Sequence, residues 1–275
     1  MSSVIDQGRG AVWFAKLTGD AALAAGYPAS VLVADATLAG RPARYITVVP
    51  DPDNRFPRAR NGEIGLVEGW QLARAVRELV AADRDRAAKT PIVAVIDVAS
   101  QAYCRREEGF GIHQALAGAA DAYAGARLVG HPVIGLIVGK AMSGAFLAHG
   151  YQANRLIAIN DRKVMVHAMG KESAARITLR SVDALELFAS KIPPMAYDIE
   201  SYASLGLLWR SLQLEQPDRP APADVNAVER NLRAALEDIL AEPCHNLASR
   251  LGAKNRQASA KVRDMLRAQW STTPP

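Results

Sequence analysis

The stretch PVIGLIVGKAMSGAFLAHG, residues 132–150, decides the fold of this chain. It begins with an apolar run of strand length, passes through a turn of small residues, and ends in a short predicted helix from Ser143 to Gly150. A similar apolar run, PIVAVID, lies at residues 91–97, and a predicted helix precedes each run. This alternation predicts an α/β fold with parallel strands joined by right-handed crossovers.

The remaining elements are predicted from the same periodicities. Two strands lie within residues 31–50, around a turn at Gly40-Arg41-Pro42. The other predicted helices cover residues 63–88, a segment ending near Val129 and residues 170–190, and the other predicted strands cover 154–159 and 163–167. Three prolines mark a connection at residues 216–222. We therefore divide the chain into an α/β domain, residues 1–215, and a C-terminal helical extension, residues 216–275, with two amphipathic helices within 223–270 and a frayed tail, STTPP.

The composition is that of an ordinary globular protein. The chain has 33 basic and 28 acidic residues in 275, a formal net charge of +5, and 49% apolar residues. These values exclude a disordered chain and a disulfide scaffold. No basic run is interleaved with aromatic residues, so we expect no nucleic-acid partner.

Localisation is predicted from what the sequence lacks. The most apolar stretch, residues 132–150, is interrupted by Lys140 and Ser143, so we expect no membrane span. The start, MSSVIDQGRG, has no secretory pattern. Cys104 and Cys244 make neither a disulfide framework nor a metal cluster, so we expect a cytoplasmic protein without a metal site.

The turn at Gly139–Ala145 is the first segment that bears on chemistry. Small residues let a ligand approach the backbone, and the first N–H groups of a helix lack intrahelical acceptors. Together they predict an oxyanion site. Tight packing of the helix on the sheet explains the small residues equally well.

A second segment, SQAYCRREEGFG at residues 100–111, follows the other buried strand, where ligands of α/β sheets tend to bind. Its charged run from Arg105 to Glu108 could be a solvated helix start, a carboxylate site or a subunit contact. Cys104 has no evident base partner and is read as incidental. His167, which ends a predicted strand, is either a structural histidine or a catalytic one.

Several long runs carry a family resemblance: VVPDPDNRFPRARNGEIGLVEGW, SQAYCRREEGFGIHQALAGAADAYAGARL, HPVIGLIVGKAMSGAFLAHGYQANRLIAI, RKVMVHAMGKESAARITLRSVDALE and PPMAYDIESYASLGLL. With them the chain resembles the gamma subunit of biotin-independent malonate decarboxylase along nearly its whole length, whereas the region after Pro217 matches no usable motif. The resemblance implies a crotonase-like ββα superhelix, a carboxyltransferase-type domain, with C-terminal helices.

The resemblance also implies an activity. The family member is a carbon–carbon lyase subunit, active only with a beta subunit. Together they convert malonyl-S-acyl-carrier protein to acetyl-S-acyl-carrier protein and carbon dioxide through an oxyanion-stabilised enolate. The implied partners are the beta subunit, the acyl-carrier protein subunit and an acyl-carrier transferase subunit. No cofactor is bound by the chain itself, because the substrate is carried on the CoA-like prosthetic group of the carrier protein.

The expected active site lies between two crotonase-like subunits, and we expect this chain to hold the carboxylate end of the substrate. The implied catalytic residues are Met142, Ser143, Gly144, Ala102, Tyr103 and His167, the first five through their backbone N–H groups. The implied substrate-binding residues are Arg105, Lys140 and Ala145, and no metal is implied. A basic loop, Arg55, Arg58 and Arg60, is either a docking surface for an acidic carrier or simply solvated.

Three alternatives remain. The chain more distantly resembles the alpha subunit of the acetyl-CoA carboxylase carboxyltransferase, a biotin-dependent enzyme, but Lys140-Ala141-Met142 replace an acid and glycines of its GEGGSGG-type turn. It also resembles Ser peptidases of the ATP-dependent caseinolytic type, which would make Ser143 a nucleophile and His167 its base. No aspartate stands out as the third member, since Asp218 lies in the proline-rich connection. The last alternative is a non-catalytic scaffold.

Overall fold

A computed structural model describes residues 8–242 and 245–272 of the chain, with no side chains described for 271 and 272. The expectations about the N-terminal leader, Cys244 and the last three residues of the tail therefore concern residues outside the described ones. The strands are β1 (Val31–Leu38), β2 (Arg41–Val48), β3 (Ile92–Val98), β4 (Val133–Met142), β5 (Arg155–Ile159), β6 (Met165–His167) and β7 (Arg210–Leu212). The helices are α1 (Gly8–Thr18), α2 (Leu66–Ala82), α3 (Arg105–Gly109), α4 (Ile112–Leu128), α5 (Ser143–Ala148), α6 (Lys171–Ile177), α7 (Val182–Ala189), α8 (Ile199–Ser204), α9 (Pro222–Ala241) and α10 (Gln257–Thr272).

The strands form one sheet in the order β1-β2-β3-β4-β5-β7, and β6 pairs with β4. The β1–β2 pair is antiparallel, and its turn places Ala39 and Gly40 at positive φ, as a tight hairpin requires. All other pairs are parallel, as the strand–helix alternation predicts. The apolar runs of β3 and β4 are buried on both faces, which explains why they lack an alternating pattern.

Strand β4 serves two neighbours in turn. Its residues 134–137 pair with β5, and its residues 140–142 pair with β6. The strand thus runs four residues beyond the predicted apolar run and reaches the start of α5. The first part of the small-residue turn, residues 140–142, is therefore held by pairing with β6, and its last part is the start of α5.

Helix α2 is shorter than the predicted 63–88. It begins after Gly65, whose N–H donates a 3.0 Å hydrogen bond to the buried Glu68 carboxylate. It ends at Ala82. The carboxylate of the next residue, Asp83, accepts the Thr90 N–H at 2.7 Å and so holds the loop that follows the helix. Charged residues beyond Asp83 extend the helical pattern of the sequence without extending the helix.

The predicted helix over residues 170–190 is two helices, α6 and α7. Leu179 between them has φ of +53°, a left-handed conformation that no α-helix continues through. Ser181 then accepts the Ala184 N–H and caps α7. The hydrophobic spacing does not reveal this break, since the residue at the positive φ is itself an apolar leucine.

A buried hydrogen-bonded pair, Tyr123 and His149, links helix α4 to strand β3 in the core. The Tyr123 hydroxyl on α4 lies 3.0 Å from His149 Nδ1, and His149 Nε2 lies 3.0 Å from the Val95 carbonyl of β3. A neutral imidazole satisfies both contacts by accepting from the tyrosine and donating to the carbonyl. Complete burial lowers the pKa of His149 to about 4, so the ring is neutral at pH 7.

The two C-terminal helices differ in environment. Helix α9 packs apolar residues, among them Val228 and Leu232, into the same core as the sheet. Arg155 on β5 forms ion pairs with Asp238 and Glu242 at its far end. Helix α10 contributes nothing to the buried core of the described residues, and its Trp270 is 86% exposed. The domain boundary at 215/216 stays a prediction, although α9 shares the core of the sheet.

No helix in the described ranges has the length and apolar character needed to cross a membrane.

Candidate active site

The turn between β4 and α5 is held in an unusual conformation at Ser143. This residue has φ of +59°, a region that non-glycine residues seldom occupy and that costs on the order of 1–3 kcal/mol. Its hydroxyl donates a 2.8 Å hydrogen bond to the Ala168 carbonyl, just after β6. The contact ties the strained turn to the neighbouring strand, so the first N–H groups of α5 have a fixed direction.

The structure brings the two predicted segments together through a residue that the sequence analysis did not single out. The Gly144 N–H donates a 2.8 Å hydrogen bond to Gln101 Oε1. Gln101 itself is fixed, because its main chain forms a parallel bridge with Ile64. Its position directly after Ser100, in the segment that follows β3, was the one signal in the sequence. Gln101 thus links the 100–104 segment to the 142–145 turn.

The two backbone donors predicted across the cleft differ. The Ala102 N–H donates to the Ile64 carbonyl at 2.8 Å, and Ala102 is fully buried. This argues against its predicted role as a backbone donor to the substrate, because its N–H group already has an acceptor. The Tyr103 N–H has no hydrogen-bond partner in the described part of the chain, and its side chain is 61% exposed. Tyr103 therefore keeps the donor capacity that Ala102 lacks.

Asp97, on β3, holds the turn at Gly139–Ala145 through hydrogen bonds. Its carboxylate accepts the Lys140 N–H at 3.0 Å and the Gly10 N–H of α1 at 3.2 Å. A Cβ at Gly139 would lie 2.0 Å from Asp97 Oδ1, so only glycine fits there. The small residues of the turn thus serve packing at Gly139, the alternative that the sequence left open. Asp97 was missed because it reads as the end of a buried strand.

The predicted substrate-binding residues occupy three environments. The Lys140 side chain is exposed and borders a polar cavity of about 380 Å³ that also includes Lys163 and Asp218. Arg105 is exposed at the start of α3 and forms no ion pair with any described residue. Ala145 is fully buried in the main core, which argues against a substrate contact by its side chain.

His167 is the register partner of Met142 where β6 pairs with β4. Its ring stacks on Tyr197 with 3.9 Å between centroids, and its Nδ1 lies 3.0 Å from the Met169 carbonyl. Burial lowers the pKa of His167, so the ring is neutral at pH 7. The histidine therefore lies beside the turn, with one nitrogen close to a backbone carbonyl.

The serine–histidine–aspartate arrangement of a hydrolase is not formed among the described residues. The Ser143 hydroxyl bonds to the Ala168 carbonyl instead of His167. Asp218 is engaged by Arg9 at 2.6 Å and by Lys163 at 2.8 Å, and these cations lower its pKa to about 2. The geometry that would activate Ser143 as a nucleophile is therefore missing.

The charged run after Cys104 is partly structural. Glu107 is fully buried and accepts the Leu66 N–H at the start of α2 at 3.1 Å. Burial raises the pKa of Glu107. Cys104 Sγ accepts the Glu107 N–H at 3.4 Å and caps α3. Cys104 and Glu107 therefore fix the loop that carries Tyr103.

The three arginines of the basic loop all contact other groups of this chain. Arg58 pairs with Glu63, and Arg60 donates to the Asn54 carbonyl at 2.7 Å. Arg55 lies 4.7 Å over the Phe56 ring. These contacts leave Arg55 as the most available cation of the three.

Comparison with known proteins identifies the family. The family described as the malonate decarboxylase gamma subunit matches residues 59–270. The chain belongs to this family. It is 64% identical, with a TM-score of 0.91, to a chain in the crystal structure of a Pseudomonas malonate decarboxylase hetero-tetramer in complex with coenzyme A. The match covers 95% of this chain and 99% of that one.

Two further proteins are similar to this chain over part of their length. The chain is 34% identical over 157 residues to the malonyl-S-ACP:biotin-protein carboxyltransferase of Malonomonas rubra, and the match covers 56% of this chain and 54% of the relative. The chain thus spans about half the length of this curated relative. A chain of transcarboxylase 12S is 20% identical with a TM-score of 0.64, covering 84% of this chain and 41% of that one. This likeness confirms the expected crotonase-like, carboxyltransferase-type fold.

Proposed function

We propose that this chain is the gamma subunit of a malonate decarboxylase and that, with a beta subunit, it converts malonyl-S-acyl-carrier protein to acetyl-S-acyl-carrier protein and carbon dioxide. The membership of the family, over residues 59–270, carries the proposal. The arrangement of the strained Ser143 turn against the 100–104 segment supports it, because two backbone segments with hydrogen-bond donors meet there.

The reaction needs donors placed where negative charge lies. The bond between the α-carbon and the carboxylate breaks, carbon dioxide leaves, and the electron pair delocalises into the thioester carbonyl as an enolate. The α-carbon then takes up a proton to give the acetyl thioester. One well-placed donor to such an oxyanion contributes about 2.7–4 kcal/mol to the transition state.

The Tyr103 N–H has no acceptor among the described residues, and the turn at Met142 and Ser143, with His167 beside it, is the second segment that we assign to substrate binding. Ala102 is left out because its N–H already has an acceptor. We assign this chain the carboxylate end of the substrate and the beta subunit the thioester end, so the donors to the enolate oxygen belong to the beta subunit. Holding the carboxylate perpendicular to the thioester plane aligns the breaking bond with the carbonyl π system, a positioning effect. Lys140 and Arg105 lie where their cations could attract the anionic substrate.

The partners follow from the same proposal. The Pseudomonas relative is a malonate decarboxylase hetero-tetramer, which supports a beta subunit for this chain. An acyl-carrier protein and an acyl-carrier transferase complete the proposed assembly, and the malonyl group arrives on the CoA-like prosthetic group of the carrier. We place the assembly in the cytoplasm.

The decisive experiment is co-expression of this chain with the beta subunit and an assay of carbon dioxide release from a malonyl thioester. We expect release by the complex and none by either subunit alone. Release by this chain alone would contradict a shared active site. An intact complex that releases no carbon dioxide from malonyl-S-acyl-carrier protein would overturn the proposal.

A second candidate is carboxyl transfer to a biotin protein, which the 34% identity with the Malonomonas rubra carboxyltransferase favours. Both reactions begin with the same cleavage, and they differ in whether the carboxyl group leaves as carbon dioxide or is passed to biotin. The same complex should therefore be assayed with a biotin carrier protein and a radiolabelled malonyl thioester. Label retained on biotin would favour the transferase.

A further inference from the structure

Gln101 has a backbone that leaves its side chain little freedom. The Ile64 N–H donates to the Ser100 carbonyl at 3.1 Å, and the Ala102 N–H donates to the Ile64 carbonyl at 2.8 Å. Ser100 and Ala102, on either side of Gln101, are thus both hydrogen-bonded to Ile64 in the segment before α2. The side chain is thereby directed toward the start of α5, where it meets Gly144.

The contact with Gly144 also fixes which way the carboxamide faces. A backbone N–H can only donate, so the atom that lies 2.8 Å from the Gly144 nitrogen must be the amide oxygen. The amide NH₂ group therefore lies on the other branch of the side chain. Accepting a hydrogen bond at the oxygen polarises the amide and makes its N–H groups better donors.

The NH₂ group of Gln101 is free to bind. It has no hydrogen-bond partner within residues 8–242 and 245–272, and it is not among the buried polar atoms that lack one, so solvent reaches it. Gln101 is half-buried and lies where the 100–104 segment meets the 142–145 turn. Two N–H donors are thus presented at the place where the two segments meet.

We infer that Gln101 binds the carboxylate of the malonyl group through its side-chain NH₂, with Gly144 serving as the residue that orients the amide. This inference rests on the proposed function. It replaces a direct Gly144 contact, since the Gly144 N–H is already donated to Gln101. A neutral amide suits this task, because it orients a carboxylate without the strong stabilisation that a cation would give to a group about to lose its charge.

The key variant is Gln101→Glu. It keeps an oxygen to accept the Gly144 N–H but removes both donors and places a negative charge next to the substrate carboxylate. Gln114→Glu, at an exposed position of α4, is the matched control because it introduces the same charge at a side chain that has no hydrogen bond to Gln101 or Gly144. Gln101→Met, which is uncharged and similar in shape, separates the loss of donors from the added charge.

The measurements are kcat and KM for carbon dioxide release by the complex with the beta subunit, and calorimetric binding of free malonate to the same complex. We expect Gln101→Glu to lower kcat/KM by about 100-fold or more and to weaken malonate binding at least tenfold, with Gln101→Met intermediate and Gln114→Glu equal to wild type. The assembly and the melting temperature should stay those of wild type for Gln101→Glu.

Wild-type kcat/KM and malonate affinity in Gln101→Glu and Gln101→Met would overturn the inference. Higher activity in Gln101→Met would do so too, because it would mean that Gln101 blocks the Gly144 N–H. A wild-type complex that releases no carbon dioxide, yet loses malonate binding on Gln101→Glu, would overturn the proposed reaction and leave the role of Gln101 standing.

Discussion

The Ser143 hydroxyl and the Ala168 carbonyl are joined by a 2.8 Å hydrogen bond that spans the end of β4 and the segment after β6. The bond holds Ser143 at φ of +59° and removes its hydroxyl from the reach of a general base. Its effect is structural: it secures the turn whose backbone carries the proposed chemistry.

The Ser143→Ala variant tests this division of roles. Loss of the hydrogen bond should lower the free energy of unfolding by about 1 kcal/mol, while carbon dioxide release by the complex stays close to wild type. Ser143→Gly is the control, since glycine tolerates the positive φ and should recover part of that stability. Complete loss of turnover in a folded, assembled Ser143→Ala complex would restore the nucleophile hypothesis.

The Gly139→Ala variant tests the packing of the turn on Asp97. The added Cβ would lie 2.0 Å from Asp97 Oδ1, so the carboxylate must move and its bonds to Lys140 and Gly10 must weaken. We expect a loss of about 1–3 kcal/mol, measured by urea unfolding. Gly109→Ala is the matched control, because nothing lies within 4 Å of its added Cβ. Equal stabilities of the two variants would contradict the fit described for Gly139.

The buried His149 predicts a pH dependence of stability. Its pKa is about 4 in the folded chain and near 6.5 when unfolded, so the unfolded chain takes up the proton first as the pH falls. The folded state should therefore lose stability from pH 6.5 down to pH 4 and be unaffected by this group above pH 6.5. His149→Gln removes the titration and should flatten that decline by about 3 kcal/mol. Parallel pH profiles of urea unfolding for wild type and variant would show that His149 does not contribute.

Tyr197 is tested by two substitutions that separate its ring from its hydroxyl. The hydroxyl is buried without a partner among the described residues, so Tyr197→Phe should leave stability unchanged or raise it. Tyr197→Ala should cost about 3 kcal/mol and expose His167, raising its pKa toward 6.5, which NMR titration of His167 would measure. An unchanged His167 pKa in Tyr197→Ala would show that the stacked ring does not shield it.

The fold was predictable where a segment's environment is uniform. The runs of β3 and β4 are apolar on both faces, which few structures other than a central parallel strand require. Helix α1 was not predicted, although Trp13 and Phe14 are buried in the core, because its start at Gly8 carries no helix signal. The break at Leu179 depends on a backbone angle that the residue type does not encode.

The candidate site was predictable as two segments but not as a set of atoms. Strand order brings the 100–104 and 142–145 segments to one end of the sheet, and this follows from the alternation of strands and helices. Which N–H groups remain free depends on contacts between distant residues. Ile64 uses the N–H of Ala102, and Gln101 uses that of Gly144, and neither partner is visible from local sequence.

Trp270, near the end of α10, can report on binding through its fluorescence. Trp270 is 86% exposed, whereas Trp13 is fully buried, so one indole is in contact with water and the other is in the apolar core. Iodide should quench Trp270 and spare Trp13. Trp70 is also exposed, at 46%, so the change is assigned by comparison with a Trp270→Phe variant. A subunit that covers α10 should reduce the quenchable fraction more in the wild type than in that variant, and one that binds elsewhere should reduce it equally in both. Titrating the beta subunit while following this fraction locates the contact relative to α10 without attaching a dye.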